Sequence, residues 1–213
     1  VPDGPLSLPA RLSLLVWDAD PSRQAPVVRA GALAELARRG LLIDDDGIAA
    51  PRDLDSRTGD PVLDGLLELV GESFPHRWRV WVTLRARYTL DAVREQLVAQ
   101  GVLRAEKHRV LGVFPSVEYV LADAGRVRAL RRQARQLLDG PAPSEDVPEQ
   151  TATALVLARA SGLLPDSEDS SHGRRAEALA HRAAATPALG AVLRELRAGL
   201  AGTAPLPTLT RGR

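Results

Sequence analysis

Three stretches of the chain share one pattern: apolar positions at helical spacing, then a glycine, then a short apolar run. In Val27–Gly47, VVRAGALAELARRGLLIDDDG, apolar Val28, Leu33, Leu36 and Ala37 recur at the spacing of one helical face. Arg38 and Arg39 close its last turn, where cations complement the negative helix end. Gly40 suits the left-handed position that ends many helices. Leu41, Leu42 and Ile43 then read as a short buried strand, and Asp44–Gly47 as a turn. The same order returns in Val93–Leu103, VREQLVAQGVL, and in Ala152–Leu164, ATALVLARASGLL. The intervals between the three are too unequal for a solenoid. The pattern predicts a mainly α protein, a body of packed helices.

The remaining segments fill in that body. Leu6–Asp18 is predicted as a helix with Ser7 as its cap, Pro9 near its first position, and Leu12, Leu15 and Val16 on its apolar face. Trp17 belongs at the core edge. Ala19–Pro26, with two prolines, is predicted as a loop that delivers Arg29 to the first turn of the next helix. A cation there opposes the macrodipole unless an anion sits beside it. Gly47–Gly59 reads as a polar loop. Asp60-Pro61 starts a helix carrying Leu63, Leu66, Leu67 and Val70, which Phe74-Pro75-His76 breaks. In RWRVWVTLRAR, Trp78 and Trp81 fit one helical face among Arg77, Arg79, Arg85 and Arg87. Two readings stand there: inward tryptophans with solvated arginines, or an arginine patch suited to phosphate. Thr89–Gly101 is a helix that buries Val93, Leu97 and Val98. The pattern around Pro115-Ser116 predicts a β-hairpin turning at that dipeptide, with Phe114 and Pro115 as an apolar tip. Asp123–Leu138 is a basic helix with a solvated face, and Gly140–Pro148 a linker. Thr151–Leu164 is a central apolar helix, Pro165–Gly173 a mobile connection, and Arg174–Ala184 and Pro187–Leu200 two further helices. Val1–Pro5 reads as a loose leader and residues 201–213 as a disordered tail, leaving 6–200 as one helical domain.

Composition narrows the function. There are 28 basic and 27 acidic residues, so bulk charge draws in no polyanion and any such partner must meet a local patch. The absence of cysteine excludes disulfides and thiolate sites, and with no signal-like start it fits a cytoplasmic protein. No apolar run approaches the ~18 residues of a membrane span. Lys107 is the sole lysine, and guanidinium forks suit phosphate. There is no Gly-rich phosphate loop, no G-x-S-x-G and no H-E-x-x-H. His76, His108, His172 and His181 lack metal-ligand spacing. Asp44, Asp45 and Asp46 fail the calcium-loop pattern, which counted from Gly47 would put Asp53 where Glu belongs. The expectation is a binding protein, not an enzyme, with no cofactor or metal.

The opening LSLPARLSLLVWD, then VVRAGALAELARRGLL, TGDPVLDGLLELV, VREQLVAQGVLRAEK, VLGVFPSVEYVL and TATALVLARASGLL together resemble, in order and spacing, the Golgi phosphoprotein 3 family and its bacterial homologues. The resemblance implies a helix bundle wrapped by amphipathic helices, plus a β-hairpin. It implies a peripheral membrane protein that binds the anionic headgroup of phosphatidylinositol 4-phosphate through arginines on a flat basic face. It further implies an adaptor for the cytoplasmic tails of membrane proteins, with the hairpin serving self-association and membrane contact. Carried over by position, the headgroup residues are Arg29, Arg85 and Arg87, and the hairpin residues Phe114 and Pro115. One family arginine falls on Leu90, and the lipid-site tryptophan of the loop before Arg29 has no counterpart other than Trp17 upstream. A rival reading is a winged-helix-like nucleic-acid binder, with Val93–Gly101 as recognition helix. It is disfavoured because that helix offers only Arg94, between Asp91 and Glu95. A protein-interaction scaffold is the third.

Overall fold

Each of the three recurring units ends as its glycine dictates. In the computed structural model, Gly40, Gly101 and Gly162 take φ of 70°, 70° and 65°. At the first two, the amides fold back in a Schellman pattern, Leu41 to Leu36 and Val102 to Leu97. The structure describes residues 6–110, 114–140, 143–164 and 170–203, with the side chains of 108–110, 114–116 and 170–173 outside the description. The expected leader, most of the expected 165–173 connection and the tail beyond Thr203 lie outside it.

Helix α1 (Leu8–Leu15) starts after Ser7 with a proline in its first turn, as predicted, but the Ser7 hydroxyl makes no capping bond. Helix α2 (Pro21–Arg38) departs from expectation. Asp20 caps it, accepting from the Ser22 amide at 2.8 Å, and Pro21 stands in its first turn. Pro26 lies inside the helix. The predicted Ala19–Pro26 loop is therefore mostly helix. Arg29 sits two turns in, not in the first turn, so the macrodipole is not what burdens it. An interior proline costs ~3 kcal/mol in an isolated helix. Burial offsets that here, because every residue from Gln24 to Leu36 is buried.

Around α2 the other helices pack on two sides. One apolar cluster joins α1, α2, α3 (Pro61–Glu72), α4 (Trp78–Trp81), α7 (Glu149–Ala160) and α9 (Pro187–Ala201), through residues such as Leu33, Leu66, Leu155 and Leu196. A second joins α2 to α5 (Ala86–Ala99) and to the base of the hairpin β4 (Leu103–Val110) and β5 (Phe114–Leu121), through Val28, Leu90, Val93, Leu97 and Leu103. Helices α6 (Ala124–Asp139) and α8 (Ser170–Ala183) cover the flank. The fold is mainly α, with small antiparallel sheets. None of the described helices is long and apolar enough to cross a membrane.

Three further expectations are corrected. The loop predicted over Gly47–Gly59 contains strand β2 (Ile48–Pro51), paired with β1 (Leu42–Asp45) on one side and β3 (His76–Arg77) on the other. Asp46 and Gly47 turn between β1 and β2 at φ 50° and 84°, the backbone an Asp-Gly hairpin turn requires. The RWRVWVTLRAR segment is not one helix face. It divides into β3, α4 and the start of α5, with both tryptophans buried. The Pro115-Ser116 dipeptide does not form the hairpin turn. Both residues lie within β5, opposite Arg109 and His108.

Candidate functional site

Helices α2 and α5 pack side by side, and their contact decides where the candidate arginines fall. Arg29 is fully buried, so the expected placement on a flat outer face is incorrect for this residue. Its Nη2 donates to the backbone oxygen of Arg85 at 2.8 Å, and its Nε and Nη1 have no partner. Among the described residues no carboxylate forms an ion pair with it. Burial alone pulls its pKa down from the usual arginine range to about 10. It remains a cation at neutral pH.

Arg85 is the N-terminal flank of α5, exposed, with left-handed backbone at φ 52°. A non-glycine residue there is uncommon and mildly strained. Its side chain makes no ion pair among the described residues. Arg87, two residues onward, is also exposed and pairs with Asp91, its Nε lying 2.9 and 3.1 Å from the two carboxylate oxygens. An exposed i,i+4 pair contributes only ~0.3–0.5 kcal/mol, so a phosphate can displace it. Asp20 is held as carboxylate by its bonds from Ser22, with Arg87 and Arg23 adding attraction. The starts of α2 and α5 thus lie close enough for Arg87 and Arg23 to attract Asp20 without a direct ion pair among the described residues. Arg29 reaches the patch from beneath, through the Arg85 backbone. Leu90, where the resemblance placed a further arginine, is buried in the core.

Reading the sequence missed a second buried cation. Arg94 lies between the rings of Trp17 and Tyr119, 5.7 and 5.4 Å from their centroids, and donates to Gln24 Oε1 at 3.1 Å. Gln24 in turn donates to the carbonyls of Trp17 and Ala19 at 2.7 and 2.6 Å. This clamp fixes the α1–α2 connection against α5 and the hairpin. Its signal in the sequence is positional: Arg94 falls beside Leu90, Val93 and Leu97 on the inner stripe. With Arg94 buried, the nucleic-acid reading loses its one basic residue on that helix. The side chains of Phe114 and Pro115 lie outside the described residues, so the tip role expected of them rests on strand position alone. No group of His, Asp and Glu among the described residues could hold a metal ion.

Comparison with known proteins fits this arrangement to a family. The family model described as Golgi phosphoprotein 3 (GPP34) matches residues 8–196. The chain belongs to the Golgi phosphoprotein 3 family. The match runs from the start of α1 into the last turns of α9, so it takes in nearly all of both core clusters and all three candidate arginines. No curated protein matches the chain. Within this Golgi phosphoprotein 3 family member, Arg29 touches the Arg85 backbone, while the Arg87 side chain turns to Asp91.

Proposed function

We propose that the protein is a peripheral membrane protein that grips a phosphate-bearing lipid headgroup at the α2–α5 patch, phosphatidylinositol 4-phosphate being the lipid its family resemblance favours. Arg85 and Arg87 meet phosphate oxygens at the surface by charge-assisted hydrogen bonds. Arg29 acts from beneath as a positioning residue. It holds the Arg85 carbonyl and adds a positive charge that no internal carboxylate neutralises. The observation that carries the reading is that buried, carboxylate-free guanidinium, two of whose nitrogens lack partners, directly under an exposed arginine in strained backbone. An anion outside supplies the compensation missing inside. The role is binding rather than catalysis, at the cytoplasmic face of a membrane. It extends to presenting the cytoplasmic tails of membrane proteins and to self-association.

Vesicle sedimentation tests this. Binding is expected to vesicles containing phosphatidylinositol 4-phosphate and not to phosphatidylcholine alone. The Arg29, Arg85, Arg87→Ala triple variant is expected to bind on the order of 100-fold more weakly, from ~1 kcal/mol per surface arginine and one charged hydrogen bond. Equal binding to both vesicle types, or a triple variant that binds unchanged, rejects the reading.

A further inference from the structure

A cleft of about 450 Å³ opens beside Arg85, walled by Leu69, Phe74, His76, Trp81 and Leu84. Its volume lies in the ~300–1,000 Å³ range of small-molecule sites. Three features of its wall lack an explanation in the fold. Trp81 is fully buried, yet its indole N–H has no partner. A buried indole N–H ordinarily finds one, and three residues earlier Trp78 donates to Asp44 Oδ1 at 2.7 Å. Phe74 is 86% exposed, more than any other large apolar side chain among the described residues, at the elbow just before Pro75. Arg85 stands in strained left-handed backbone, and among the described residues its guanidinium makes no ion pair. The lining thus combines a cation at Arg85 and a buried indole donor with apolar Leu69, Phe74, Pro75 and Leu84 and polar Ser73 and His76. Glu72 is the cleft's only carboxylate.

We infer that this cleft takes the glyceryl ester and first acyl carbons of an anionic phospholipid whose phosphate is held at Arg85; the inference rests on the headgroup reading and adds the apolar half of the ligand. The Trp81 N–H donates to an ester or phosphate oxygen. Phe74 enters the acyl region, as apolar side chains of interfacial proteins do. A cleft of this size holds the start of a chain, not whole chains, so the rest of the lipid stays in the bilayer. The ligand recognised is then the lipid molecule and not the free headgroup.

The full chain has three tryptophans, so its indole N–H signals are few, and Trp81→Phe assigns the relevant one in a nitrogen-15 NMR spectrum. The probes are dibutanoyl phosphatidylinositol 4-phosphate, its deacylated glycerophospho-headgroup, and dibutanoyl phosphatidylcholine. The acylated phosphoinositide is expected to shift the Trp81 signal and to bind about tenfold more tightly than the deacylated form, the effect of burying roughly two methylene groups. Phe74→Ser, at an exposed position that leaves the core intact, is expected to remove most of that advantage without changing affinity for the deacylated form. Equal affinity for both phosphoinositides, an unmoved Trp81 signal at saturation, or a Phe74→Ser variant that keeps the advantage overturns the cleft and leaves the headgroup site standing. Equal binding of the phosphatidylcholine overturns the anionic specificity of the cleft. If neither phosphoinositide binds, both readings fall.

Discussion

A guanidinium without carboxylate or solvent is a poor choice for stability, and Arg29 shows the cost. Burial lowers its pKa to about 10, which corresponds to a penalty on the order of 3 kcal/mol on the charged form. The sign follows from the direction. The penalty is present in full below the folded value and is relieved only as pH rises above about 10. Across the neutral range, titration of Arg29 therefore leaves stability flat. Arg29→Met keeps much of the volume and removes the charge. It also strips the Arg85 carbonyl of its donor, a loss of ~1–2 kcal/mol. The balance predicts a net gain of ~1–2 kcal/mol, and with it a melting temperature higher by a few degrees. The same variant should lose the thermal stabilisation that added phosphoinositide headgroup gives the parent protein. A lower melting temperature for Arg29→Met would mean that the guanidinium is there for the fold. Arg94 makes the contrast: also buried, it is stacked on two rings and bonded to Gln24. Its replacement by Leu leaves Gln24 Oε1 unpaired and should cost ~1–3 kcal/mol in chemical denaturation.

At the level of elements, the position of Arg85 depends on α4, and α4 depends on α9. A Cβ on Gly199 of α9 would lie 2.9 Å from Val82 Cγ2 and 3.1 Å from the backbone oxygen of Arg79. The side chain can yield; the backbone atom cannot without moving α4. Arg79 also forks onto Glu195 of α9 at 2.9 and 3.0 Å. Gly199→Ala gains ~1 kcal/mol of helix propensity and loses ~1–3 kcal/mol to overpacking. A net loss near 1 kcal/mol is expected, together with weaker headgroup binding because the turn leading to Arg85 shifts. Unaltered stability and binding would show that α4 is free to slide. These contacts also mark where sequence reading stops. The helix–glycine units, the Asp60-Pro61 start and the apolar stripe of α3 were legible because local chemistry and tertiary structure agree there. The helix through Pro26 was not, since only burial by its neighbours outweighs a proline's local effect. The division of RWRVWVTLRAR was hidden for the same reason: Trp78 and Trp81, three residues apart, fit a long helix as well as a short one. Arg29, Arg85 and Arg87 could be nominated by position in the family pattern. That Arg29 lies under the surface, held to the Arg85 backbone, depends on a contact 56 residues apart that no spacing reveals. The cleft escaped because its walls come from α3, the elbow after it and the α4–α5 turn.

For the molecule as a whole, 28 basic residues stand against 27 acidic ones, so no long-range field draws it to a bilayer. On the proposed reading, attraction comes from the two surface arginines, ~1 kcal/mol each, and from the cleft. The two parts answer differently to salt. Raising ionic strength from 0.1 to 1 M shortens the Debye length from ~10 to ~3 Å, which screens the exposed arginines and leaves apolar burial in place. Vesicle affinity should therefore fall severalfold with salt and then level off, instead of declining without limit as for a purely electrostatic binder. The plateau should disappear in Phe74→Ser. A single patch of this strength holds a membrane only briefly, and a second copy acting on the same bilayer converts the next contact into an intramolecular one, multiplying avidity by ~10²–10⁴. Two copies of the chain joined by a flexible linker are thus expected to stay on phosphoinositide vesicles at protein concentrations where one copy washes off, provided both patches face the same surface. Tandem and single chains that dissociate at the same rate would place the patch where two copies cannot reach one bilayer together, and would remove self-association from the account of how this protein stays on membranes.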